Sequence, residues 1–252
     1  MNKFMHAKNF ASHIKELKQR CLKIILSFLV LFCICFHQAT SIFSWLSVPL
    51  QEALCHQGLA PEMIYTHLGE AFSTYMSVAF FASLFFIFPY LEWHLWRFVS
   101  PGLLNQEKKH LAPFLLLFPC LFLMGGLFCY YYVIPHVWTF FVQFSTAPQE
   151  TLSIRLLAQM DGYLEITMKF IFAFGLCFQL PLIMLLLAHI GAGNAALFAR
   201  QRRFVIVGIF LVAAFLTPPD VLSQIMLALP LWALYELSII VIKIKEQRTT
   251  HA

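Results

Sequence analysis

Charge is what this sequence has least of. Of its 252 residues, 12% are Asp, Glu, Lys or Arg, about half the usual 25% of soluble domains. That scarcity excludes the common soluble classes: nucleic-acid binders, disulfide-stapled secreted domains and disordered chains. Paired cysteines are also missing. The seven Cys at 21, 33, 35, 55, 120, 129 and 177 form an odd set without a C-x-x-C pair, mostly inside apolar runs. No disulfide framework or metal site is expected from them, and they read as small buried apolar side chains. Catalytic signatures are absent too. The ten His residues are scattered, and there is no H-E-x-x-H, G-x-S-x-G or phosphate-binding loop. His37 and His189 read as interfacial or internally satisfied. We therefore expect no catalytic residues, no metal, no cofactor and no enzyme activity. Any work must draw on a partner ATPase or a membrane gradient.

What is present is apolar: 60% of the chain, with 28 Phe. This composition indicates a polytopic membrane protein. Apolar stretches run near 22–43, 71–92, 112–134, 164–190, 204–217 and 221–242. Lipid offers backbone groups no hydrogen-bond partner, so each stretch is expected to be helical. The expected fold class is all-α, with six transmembrane helices in a single domain over 1–252.

Lys and Arg set the direction. Fourteen of the 17 fall in the first tail (Lys3, Lys8, Lys15, Lys18, Arg20), in two loops (Arg97, Lys108, Lys109 and Arg200, Arg202, Arg203) and in the last tail (Lys243, Lys245, Arg248). The alternate loops hold only Arg155. This bias predicts both termini on the cytoplasmic, matrix or stromal side. The net charge of +5 is then topological information and needs no nucleic-acid partner. The basic start followed by a long apolar run reads as a retained span, since no A-x-A-like cleavage site follows.

The last two spans are short. Phe204–Leu216 is 13 residues, about 20 Å as a helix against a hydrocarbon core of about 30 Å. Span six is interrupted by Gln224 and Glu236. Two short spans, in preference to one re-entrant hairpin, keep Arg200–Arg203 and Lys243–Arg248 on one side. Short helices imply local bilayer thinning. Residues 44–70 and 135–163 are expected to hold short interfacial helices, with amphipathic pieces at Ile42–Leu54 and Val137–Phe144. Pro49, Pro61, Pro135 and Pro148 punctuate them.

Polar residues in or beside lipid stand out because charge there is expensive. Glu165 and Lys169 are spaced i,i+4 in the favoured order for a helix salt bridge. They read as an interfacial pair or as a contact for a partner helix. Gln179 lies near the middle of the same span, about 40° short of four turns from Glu165, so the two share a face with Phe172. Pro181 is placed to kink it. Gln179 can bond a neighbouring helix of its own chain or a partner transmembrane helix. Glu16 can pair with Arg20, and Glu107 lies beside Lys108 and Lys109. These are ordinary surface pairs, or, if folding joins the two carboxylates, a site for a doubly cationic ligand suited to Arg forks. Thr217-Pro218-Pro219-Asp220 is a tight turn in which Asp220 can cap the last helix, with Ser223 and Gln224 in its first turn.

Taken together, these residues resemble the TatC family, the multispanning subunit of the twin-arginine protein translocase, over nearly the whole chain. His13-Ile14-Lys15-Glu16-Leu17-Lys18-Gln19-Arg20 resembles the family's H-L-x-E-L-R-x-R. Val48-Pro49-Leu50 resembles its first outer-loop motif. Phe98-Val99-Ser100-Pro101-Gly102-Leu103 with Glu107-Lys108-Lys109 resembles its F-x-x-P-G-L loop. Tyr163-Leu164, Phe174-Gly175 and Phe178-Gln179-Leu180-Pro181 resemble the fourth-span signature. Arg202-Arg203 and Thr217-Pro218-Pro219-Asp220 with Ser223-Gln224 resemble the closing motifs. Each is weak alone; six in order are specific.

The resemblance implies a core receptor for twin-arginine signal peptides that exports folded proteins on the proton gradient. Glu16 and Glu107 match the acidic docking positions; Phe98, Pro101, Lys18 and Arg20 lie in the same recognition elements. Gln179, with Glu165 on its span, is implied as partner-helix contact. Pro49, Asp220 and Gln224 match structural positions on the outer side. Implied partners are TatA-like and TatB-like single-span subunits, the signal peptides of folded cargo, the lipid bilayer and further copies of the chain in a homo-oligomer. Lys18 replaces the motif's usual Arg and loses its planar fork. Gln179 stands where many relatives carry Glu, so it cannot titrate, and no proton-relay role is assigned to it. The Gln form resembles alphaproteobacterial and mitochondrially encoded members, so the expected location is a bacterial cytoplasmic membrane or a mitochondrial inner membrane. The alternative, a small-solute secondary transporter, calls for inverted repeats and discontinuous helices at the midplane; neither is visible. An intramembrane enzyme would need a paired nucleophile and base, which are lacking.

Overall fold

The computed structural model describes residues 2–99, 105–145, 158–189, 191, 193–217 and 221–250; the side chains of 2–16, 96, 98–99, 105–115, 222–223 and 248–250 are outside the description. In chain order the elements are α1 (Asn2–His37), α2 (Ala39–His56), β1 (Met63–Ile64), α3 (Glu70–Val99), α4 (Asn105–Phe128), a π-turn (Cys129–Val133), α5 (Ile134–Ser145), β2 (Ala158–Gln159), α6 (Met160–Cys177), α7 (Leu180–His189), α8 (Ala195–Leu216) and α9 (Val221–Thr250). The class is all-α, and the structure agrees with a six-span membrane protein. Among the described residues, five helical stretches are long and apolar enough to cross a bilayer: Leu17–His37, Glu70–Leu95, Leu116–Ser145, Met160–His189 and Gln224–Gln247. The remaining expected span, 204–217, lies in α8, whose apolar part follows three arginines.

Three expectations change. The first apolar stretch does not run on to 43: α1 ends at His37, and residues 39–56 form a separate helix that passes through Pro49. Span three does not stop at Pro135 but continues to Ser145. Pro135 brings no N–H to the ladder and ordinarily breaks a helix. Here the turn just before it widens to the π form, with Ile134 N donating to Cys129 O, which lets the helix pass the proline. His136 Nδ1 sits 2.6 Å from the Tyr132 carbonyl in the same turn. Finally, the cysteines are not uniformly buried: Cys35 and Cys129 are buried, Cys177 is half-buried, and Cys21, Cys33, Cys55 and Cys120 are exposed, all as free thiols. An apolar neighbourhood in sequence does not imply burial when the outer faces of the helices are apolar too.

Contacts divide the chain into two compact units, one of 1–43 and 75–119, the other of 44–74 and 120–252. In the first, α1 and α3 pack through buried Cys35, Ala79 and Ala82 beside Phe32, with Phe28 edge-on to Phe80 at 5.4 Å.

In the second unit, α4 and α6 approach closely where glycines leave room. A Cβ on Gly175 would meet the Phe122 ring at 2.7 Å, and one on Gly125 would meet the Phe174 carbonyl at the same distance. Small residues at such crossings let helix backbones pack in lipid, and Phe122, Phe170, Phe174 and Leu164 are fully buried there. Two tyrosines fasten α2: Tyr130 Oη donates to Trp45 O and Tyr163 Oη to Leu46 O, each at 2.6 Å, and the Tyr130 ring stacks on Trp45 at 3.9 Å. α2 ends where Gly58 adopts φ +69°, a left-handed cap that returns Leu59 N to Leu54 O at 3.1 Å.

α8 and α9 pack through Phe198, Tyr235, Ile239 and Ile242, with Tyr235 Oη donating to Phe198 O at 2.8 Å. Glu236, an interruption in the sixth apolar stretch, is answered by Arg202 at 2.8 Å.

Candidate functional site

Two of the elements that carry candidate ligand-binding residues, α1 and α3, meet at one end of the first unit. α1 and α3 run antiparallel, and near the α3 C-terminus Arg20 Nη1 donates to the His94 carbonyl at 3.1 Å. Glu16 lies one helical turn before Arg20 on α1, and Phe98 one turn after His94 on α3. The Arg20–His94 contact therefore brings the 16–20 and 94–98 turns of backbone to the same end of the unit. Glu107 is the third residue of α4, where an acid complements the positive end of the helix dipole. The side chains of Glu16, Phe98 and Glu107, and Pro101 altogether, lie outside the described residues. Lys18 is exposed and Arg20 half-buried. Arg20 and Lys23 of α1 and Arg97 of α3 all bear electrostatically on His94, so Glu16 stands on an otherwise basic stretch of α1.

α6 carries the second group. Glu165 and Lys169 form an ion pair with side chains 57% and 53% exposed. Gln179, by contrast, is only 5% exposed. The two ends of this stretch thus differ in burial, and the helix between Glu165 and Gln179 is not continuous: it breaks after Cys177. Pro181 cannot donate to the ladder. Gln179 N instead bonds Leu176 O at 3.0 Å, and its own carbonyl accepts from Leu182 N and Ile183 N to start α7. Phe172 keeps an edge-on contact with Phe122 at 5.7 Å.

Of the remaining expected residues, Pro49 is buried inside α2. Gln224 Nε2 donates to Phe210 O at 2.9 Å, tying α9 to α8. Asp220 lies outside the described residues. Among those described, no cluster of His, Cys, Asp and Glu could hold a metal ion.

One functional-looking carboxylate escaped the sequence reading. Glu70, 6% exposed, accepts from Thr66 N at 2.5 Å, Thr66 Oγ1 at 2.8 Å and His67 N at 3.2 Å. Gln159 Nε2 reaches its other oxygen at 3.5 Å. The parallel pairing of Met63 with Ala158 and Ile64 with Gln159 completes a clasp between the segments leading into α3 and α6. The available signal was a Thr and a Glu four apart before an apolar run, close to a capping box.

Known proteins match the chain in sequence and in fold. The family model for Sec-independent protein translocase protein (TatC) covers residues 12–230. A TatC from Magnetococcus marinus is 40% identical over 227 residues, 90% of this chain and 81% of the relative. One from Rickettsia prowazekii is 38% identical over 237 residues, 94% of this chain and 93% of the relative. The crystal structure of a twin-arginine translocase receptor TatC superposes with a TM-score of 0.78 at 29% identity, covering 92% of this chain and 98% of that one.

Proposed function

The chain belongs to the TatC family of Sec-independent protein translocase proteins, and on that footing we propose that Glu16 and Glu107 form the docking site for the arginine pair of a twin-arginine signal peptide. It is a multi-pass membrane protein of that translocase. The observation that carries the proposed site is the Arg20–His94 contact, which brings the Glu16 turn of α1 and the Phe98 turn of α3 to one end of the unit. Phe98 and Pro101 shape the recognition loop, and Lys18 and Arg20 hold the amino-terminal element. Two carboxylates answer two guanidinium groups with charge-assisted, fork-shaped hydrogen bonds.

Around this site we place both termini on the inner side, six spans in one membrane domain, TatA-like and TatB-like partners and further copies of the chain. Export of folded cargo is driven by the proton gradient. Gln179 contacts a single-span partner at the α6–α7 break, where its neutral amide bonds without titrating.

The test is site-specific crosslinking of a twin-arginine signal peptide to the assembled complex. Glu16→Ala and Glu107→Ala are each expected to lower the crosslink yield about tenfold, the loss of one charge-assisted contact. Undiminished crosslinking in the double variant would overturn the docking site. Gln179→Leu is expected to release the single-span partner on purification while leaving the signal-peptide crosslink intact.

A further inference from the structure

The exposed side of α6 presents groups in a definite order from its first turn inward. Asp161 comes first, then Glu165 and Lys169, then Phe172 and Leu176, which is 41% exposed. All five fall within about 80° of arc on an ideal helix. The stretch Met160–His189 is 30 residues long, about 45 Å, against a hydrocarbon core of about 30 Å. Asp161 and Glu165 therefore lie in the headgroup layer, with Lys169 just beneath. The Lys169 side chain leaves the backbone toward the helix N-terminus and carries its ammonium back to Glu165, as a snorkelling lysine does. Down this face the sequence is acid, acid, base, apolar.

We propose that this face binds an aminophospholipid of the phosphatidylethanolamine type. Entering the membrane from water, such a lipid offers a primary ammonium, then a phosphate, then acyl chains, the complement of that order. The ammonium lies against Glu165 and Asp161, the phosphate takes the Lys169 ammonium, and a chain runs over Phe172 and Leu176. An anionic glycerol headgroup has no cation for the two carboxylates. A choline headgroup has the charge but no N–H to donate, whereas a primary ammonium supplies three donors. A second copy of the chain in the same membrane orientation would set like charges level with one another along this face. A partner helix at Glu165, the occupant its sequence suggests, is the rival that the experiment must separate.

The experiment is native mass spectrometry of the full-length protein in detergent, titrated with phosphatidylethanolamine, phosphatidylcholine or phosphatidylglycerol. The wild type is expected to retain phosphatidylethanolamine in preference to the other two. In the double variant Glu165→Lys, Lys169→Glu, an i,i+4 ion pair and the apolar strip remain but the charge order is reversed. Its phosphatidylethanolamine affinity is expected to fall about tenfold, a loss that a purely structural pair would not produce. Lys169→Gln, which keeps the helix and removes the phosphate partner, is expected to show a similar loss and gives the reading if the reversed variant does not fold. Equal binding of the three lipids by the wild type, or wild-type affinity in Lys169→Gln, would overturn the proposal. So would loss of a co-purifying single-span protein while lipid binding stays unchanged, and that result would assign the face to a partner helix.

Discussion

The span in α1 and the span formed by α6 and α7 are both apolar enough to cross a bilayer, yet 6% of the first is buried within the chain and 44% of the second. Hydrophobicity decides that a segment enters lipid, but lipid tails are as apolar as a protein core, so it does not decide which segments pack. The difference lies in small residues and polar anchors. The α6 stretch has Gly175, which admits the Phe122 ring, and Tyr163, whose hydroxyl reaches Leu46 O. The α1 span has no glycine and stacks its own Phe28, Phe32 and Phe36 along one side.

Substitutions can break or sharpen this contrast. The largest expected effect is Gly175→Leu, which drives atoms into a ring already 2.7 Å from a Cβ at that position. It should cost about 3 kcal/mol by overpacking, read as a lower melting temperature in detergent. An unchanged melt would show that close packing is not what separates the two spans. Next is Glu70→Ala, which leaves the Thr66 and His67 donors without their carboxylate. A loss of about 2 kcal/mol is expected, with faster hydrogen exchange at 63–66 and 158–160. Tyr163→Phe removes a single hydrogen bond from a well-packed ring and should cost about 1 kcal/mol. At the small end, Leu26→Ala on α1, where the side chain is exposed, should change stability by less than about 0.5 kcal/mol. A larger loss would mean that α1 has a packing partner outside the chain.

Much of the architecture was legible in the sequence, because the bilayer imposes a length and a polarity that any spanning helix must meet. Glu236 and the arginines near 200 could be read as charges needing an explanation, but not as the Arg202–Glu236 pair, since that requires knowing how α8 and α9 pack. The course of the chain past Pro135 was hidden for a related reason. Proline signals a break, and only three-dimensional packing decides whether a wider turn absorbs it. Gln179 was visible as polar, but its burial depends on what packs around the break at 178–179, which the sequence does not show. The 16–20 and 98–107 elements could be recognised separately. Among the described residues, Arg20 ties the first of them to the end of α3 by bonding the His94 carbonyl, and no spacing in the sequence encodes it.

The π-turn at Cys129–Val133 also acts as a phase shift in the helix. It absorbs one residue more than an α-turn does, so every side chain beyond it is rotated by about 100° relative to an unbroken α-helix. The aromatic run Tyr130-Tyr131-Tyr132 is thus where the angular register of α4 is converted into that of α5. Removing any single residue from it would bring an ordinary α-turn up against Pro135 and turn Val137 and Val142, now buried, away from their neighbours. In this stretch the number of residues carries information in addition to their identity.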